Sequence, residues 1–183
     1  MASARKPSAP ETVTINRAPV LTLWAAVVAE RLGYDRDEAA TLGKAVAGMN
    51  AASKARTLGL AKAAEPGATR KPSAPASDAA RVELLGRRVP VTTTPRGIRA
   101  TADGKPTTPE SVHRYLEGKF GASLEAVRGA MTVLARSRPK PDLAEQAFAL
   151  YEQFRPGIPG GVKGWGAKGV LDLRRIRSLA RSR

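Results

Sequence analysis

The segment Asn16-Arg17-Ala18-Pro19-Val20-Leu21-Thr22-Leu23-Trp24-Ala25-Ala26-Val27-Val28-Ala29-Glu30-Arg31-Leu32 carries apolar side chains on almost every face of a helix. Asn16 is a suitable N-cap, and Pro19 is tolerated in a first turn, where its missing N–H has no partner to lose. Within residues 20–32 only Thr22, Glu30 and Arg31 are strongly polar. A helix apolar all round needs cover on several sides. In so small a region that cover means a tight helical pair together with a second domain or another subunit. Trp24 belongs to this core.

Working outward, Gly33-Tyr34 ends the helix and Asp35-Arg36-Asp37-Glu38 opens the next, with acids placed to suit the helix dipole. Ala39, Leu42, Val46 and Met49 follow at helical spacing, while Gly43, Ala47, Gly48 and Ala51 are small enough for close approach of another helix. Residues 16–62 therefore read as a helical hairpin. Helix-turn-helix DNA binding is one use of such a pair, although two antiparallel helices show the same pattern. Residues 1–15 read as a disordered tail. Residues 63–77 turn to Ala, Pro, Gly, Ser, Lys and Arg without any period, which predicts a flexible linker and a domain boundary.

Residues 78–183 read as a helical domain carrying a small β-hairpin and a basic C-terminal helix. Ser77 caps a short helix over 78–85 that Gly86 stops. The β-branched run from Arg87 to Thr94, the turn Thr94-Pro95-Arg96-Gly97 and a return strand from Ile98 form the hairpin, with Pro90 suggesting an edge strand. Three helices follow. Thr108-Pro109-Glu110 starts one with Val112, Leu116 and Phe120 inward; Ser123 opens one with Leu124, Val127, Met131 and Leu134; Asp142 opens one with Leu143, Ala147, Leu150, Tyr151 and Phe154. The predicted class is mainly α, an N-terminal helical hairpin plus a C-terminal helical domain with a β-hairpin.

The last stretch, residues 156–183, holds seven Lys/Arg against the single Asp172 and so carries +6 of the chain's +15. Gly164-Trp165-Gly166-Ala167-Lys168-Gly169 matches G-x-G-x-x-G, but the dinucleotide unit needs a crossover and a distal acid. Only fourteen residues follow Gly169, so no nucleotide cofactor is expected. The alternative use is an anion nest of backbone N–H groups with Lys163 and Lys168, on which Trp165 either stacks a base or fills the core. From about residue 170 a helix is expected, with Leu173, Ile176 and Ala180 inward and Arg174, Arg177 and Arg181 outward.

Composition points the same way. The 183 residues include 31 Lys/Arg against 16 Asp/Glu, and Arg outnumbers Lys by 21 to 10. An anionic partner is the natural expectation, and the planar Arg fork suits phosphate. The competing explanation is a GC-rich bacterial genome, which favours Ala, Arg, Gly and Pro codons. Charge gathers on the hairpin, where residues 81–107 net +4, whereas residues 139–155 net −1. Cysteine is absent, which excludes disulfides and thiolate chemistry. No apolar run approaches the roughly 18 residues of a membrane span, and residues 1–10 lack an apolar signal region. The only histidine, His113, shares a helix face with Glu110 and Glu117, a pattern read as a solvated face and not a metal site.

These readings combine into a non-enzymatic nucleic-acid-binding protein without cofactor or metal, DNA favoured over RNA. The expected phosphate-gripping residues are Arg87, Arg88, Arg96, Arg99, Lys163, Trp165, Lys168, Arg174, Arg177 and Arg181. A cytoplasmic or nucleoid location, with a nucleoid-associated or regulatory role, goes with it. The alternative is a protein-interaction module or homodimer that uses helix 20–32. No membrane partner is expected.

Overall fold

A computed structural model describes residues 11–57, 80–102, 104–157 and 168–182. The elements in order are β1 (Thr12–Asn16), α1 (Arg17–Leu32), α2 (Arg36–Thr57), β2 (Arg81–Leu84), β3 (Arg87–Thr94), β4 (Gly97–Ala102), β5 (Lys105–Pro106), α3 (Pro109–Phe120), α4 (Leu124–Arg136), α5 (Lys140–Phe154), β6 (Lys168–Asp172) and α6 (Leu173–Arg181). The protein is mostly helical, with a four-stranded antiparallel sheet in the order β2-β3-β4-β5 and a separate β1–β6 pair.

The organising element is α1, whose residues from Pro19 to Ala29 are all buried. It packs on α2, α4 and α5 together. Gly43 makes the α1–α2 approach possible, because a Cβ there would overlap the backbone of Thr22 and sit 2.9 Å from the Ala26 nitrogen. On the other side Trp24, 0% exposed, donates its Nε1–H to the Ala147 carbonyl at 2.8 Å. Its ring meets Phe154 edge-on, with centroids 5.3 Å apart. The cover that α1 requires is thus supplied within the chain. The apolar residues from Pro19 to Ala29 therefore need no partner chain to bury them. One core cluster joins residues on both sides of the 63–77 segment, so the two parts do not have separate cores. The segment itself lies outside the described residues.

Gly33, at φ 117°, closes α1 with the reciprocal backbone bonds Gly33 N–H to Glu30 and Tyr34 N–H to Ala29. Asp35 and Glu38 then form a capping box at α2: the Glu38 amide donates to Asp35 Oδ1 at 2.8 Å, and the Asp35 amide to Glu38 Oε1 at 3.1 Å. Glu38 spends its other oxygen on the Ile98 amide at 3.0 Å. Together with Thr41 it covers the outer edge of β4, which protects an otherwise open strand edge.

Four sequence expectations are corrected. Residues 12–15, read as tail, form β1, because Val13 and Ile15 pair opposite Leu171 and Gly169 and Ile15 enters the core. Of the short helix expected over 78–85, the described part from Arg81 to Leu84 is instead strand β2, and Leu85-Gly86 at φ 50° and 72° makes the two-residue hairpin turn to β3. Burial of Leu85 offsets its unfavourable backbone. Pro90 sits in an inner strand, not at an edge. It is tolerated because the β3–β4 ladder starts at Val91, so the bond Pro90 cannot donate falls beyond the pairing. Finally, residues 168–172 are strand β6, and the last helix begins only at Leu173, capped by Asp172.

Candidate nucleic-acid interface

The hairpin of β3 and β4 is supported from α2, while α6 packs on α4. The two basic elements therefore dock on different neighbours of α1. Sequence reasoning placed ten residues on this surface; eight of them are described and divide into three groups.

Arg88, Arg96, Lys168 and Arg181 are exposed. Arg88 lies across the β2–β3 ladder from Glu83, without an ion pair between them among the described residues. Arg96 tops the β3–β4 turn, which Thr94 closes by donating to the Gly97 carbonyl at 2.7 Å. Lys168 begins β6 beside Gly169, where a Cβ would overlap the crossing backbone of Gly157. Glycine at this point of the stretch therefore serves strand crossing.

Arg87, Arg174 and Arg177 are partly engaged or covered. Arg87 is half-buried, with Asn50 Oδ1 3.5 Å away. Arg174 is shared between Asp172 at 3.3 Å and Glu11 at 3.5 Å. The hydrogen bond from Arg174 holds the Asp172 carboxyl below its ordinary range, and the same bond raises the Arg174 guanidinium. Arg177 is half-buried on α6.

Arg99 is a correction. It is only 5% exposed, and its guanidinium folds back to donate to the carbonyls of Ile98 at 2.8 Å and Arg96 at 3.2 Å. It braces the hairpin turn and is not available to a phosphate. Lys163 and Trp165 lie outside the described residues.

Two features had no local sequence signal. Lys44 of α2 places its ammonium 3.6 Å over the Tyr115 ring of α3, with Lys119 at 5.9 Å from the same ring. Burial, then the neighbouring Lys119, lowers the Lys44 pKa, and burial raises that of Tyr115. The second is a cleft of about 700 Å³ between the C-terminal half of α1 and α4, lined in part by Arg31, Arg36 and Arg136. Arg136 lies about a hundred positions from Arg31 and Arg36 in sequence and meets them only in the fold. His113 contacts Asp37 at 3.0 Å, and among the described residues no group of three potential ligands is placed to hold a metal ion.

Comparison with family models, curated proteins and solved structures finds no significant match to this chain.

Proposed function

We propose that the protein binds nucleic acid, duplex DNA ahead of RNA, through phosphate contacts from the β3–β4 hairpin and the α6 region, without catalysing a reaction. The observation that carries this reading is unbalanced charge: among the described residues only Arg128 and Arg174, of all the arginines, have a carboxylate within 4.0 Å. Arg88, Arg96, Lys168 and Arg181 face solvent without one. Cations left unpaired on a surface favour polyanions by releasing their condensed counterions. A polymer also suits two basic elements on different flanks of α1, since its length reaches both while a small anion meets one. Contacts of this type carry little sequence information, which fits a nucleoid-associated or regulatory accessory role in the cytoplasm.

The test is binding of the full chain to labelled duplex DNA and to single-stranded RNA across a salt series. A variant with Arg88→Gln, Arg96→Gln, Arg177→Gln and Arg181→Gln should bind more weakly and lose roughly three to four from the slope of log K against log salt. Wild-type binding confined to very low salt, or a slope unchanged in the variant, overturns the reading.

A further inference from the structure

The α1–α4 cleft gathers three arginines, Arg31, Arg36 and Arg136, on its walls. Its acidic lining residue, Glu30, is already paired with Arg128 at 3.0 Å. That leaves Arg31, Arg36 and Arg136 on the walls with no carboxylate within 4.0 Å among the described residues. Arg31 reaches only the Arg138 carbonyl, at 3.4 Å, and its Nε is buried with no hydrogen-bond partner. Three guanidinium groups on one cleft wall without a carboxylate partner make an anion the favoured occupant. Tyr34 also lines the cleft, offering a ring face and a phenol, and Thr132 faces it from α4. A volume of about 700 Å³ matches a small organic ligand and far exceeds a lone ion.

We propose that this cleft binds a phosphorylated small molecule of mononucleotide size, with the phosphate held by Arg31, Arg36 and Arg136 and the organic body against Tyr34. Paired guanidinium forks match phosphate oxygens in geometry as well as charge. The site is separate from the hairpin and α6 residues proposed to grip nucleic acid, so it stands or falls on its own.

Thermal unfolding and calorimetric titration of the full chain with adenosine monophosphate, pyrophosphate, and unphosphorylated adenosine test it. Adenosine monophosphate should raise the melting temperature in a dose-dependent way, pyrophosphate should do so more weakly, and adenosine should not. The double variant Arg36→Gln/Arg136→Gln alters residues exposed at the cleft rim, so folding should persist while affinity falls about tenfold or more. If pyrophosphate alone matches the monophosphate, the site takes free phosphate groups and the organic-body part is wrong. No stabilisation of the wild type by either phosphate, or equal stabilisation of the double variant, overturns the proposal. DNA binding measured on the same variant separates the two sites: loss of DNA affinity to the same degree would show that the cleft reads nucleic-acid phosphate instead.

Discussion

Thr41 Oγ1 accepts a hydrogen bond from the Ala100 amide at 3.1 Å, joining α2 to β4 across 59 residues of sequence. Both residues are 0% exposed. The Thr41 hydroxyl also donates to the Glu38 carbonyl at 3.1 Å, so it satisfies its own donor while serving the strand. Three residues earlier on the helix, Glu38 does the same for Ile98. The hairpin thus depends on side chains of α2 for its outer edge.

Replacing Thr41 by Val keeps the shape but leaves the Ala100 amide buried without an acceptor. Stability should fall by about 1–3 kcal/mol, whereas Thr41→Ser should retain most of it. Denaturant unfolding and exchange protection of the Ala100 amide measure both effects.

Gly43→Ala should destabilise by roughly 1–3 kcal/mol or more, because the new methyl meets the backbone of α1 and not a movable side chain. Gly48→Ala, where a Cβ meets nothing within 4 Å, is the control and should be neutral or slightly stabilising. Equal effects at both positions would argue against the close α1–α2 contact.

Trp24→Phe removes the bond to Ala147 and should cost about 1–3 kcal/mol, while Trp24→Ala should cost about 3–5 kcal/mol by opening a cavity in the core. Thermal melts of the two variants should separate in that order.

Burial pushes the Tyr151 phenol up to about 12, with Arg17 and Arg155 opposing the shift. An unfolded tyrosine titrates near 10, so between these values the folded state binds more protons than the unfolded state. Stability should therefore fall as pH rises through that window, more steeply in the wild type than in Tyr151→Phe. Urea midpoints of both proteins across this range test the difference, and parallel curves would contradict it.

Arg96 and Arg99 are separable by experiment. Arg99→Gln removes two bonds from a buried guanidinium and should lower stability by about 1–3 kcal/mol, leaving the salt slope of nucleic-acid binding unchanged. Arg96→Gln should leave stability within about 0.5 kcal/mol and reduce that slope by roughly one.

Much of the helical layout was legible because each helix repeats its apolar residues at its own period. Val112, Leu116 and Phe120 of α3, and Leu143, Ala147 and Leu150 of α5, are buried as that spacing predicts. The β3–β4 turn was readable from Pro95 and Gly97 for a similarly local reason. Strand β2 was missed because Arg81-Val82-Glu83-Leu84 is short and fits either state, until pairing with β3 decides it. The candidate site was legible only as charge. Whether an arginine is exposed, as Arg96 is, or buried, as Arg99 is, depends on the surrounding backbone carbonyls.

The sequence by itself determined that the chain is mostly helical and strongly cationic, and that residues 20–32 need cover on every side, since periodicity and formal charge are properties of local order. Only the tertiary structure decided what supplies that cover: α2, α4 and α5 of the same chain. It also decided that Thr12–Asn16 pairs with Lys168–Asp172, and that Arg31, Arg36 and Arg136 line one cleft. Such contacts join residues far apart in sequence, and their energy exists only after packing has brought the partners together and removed the water between them.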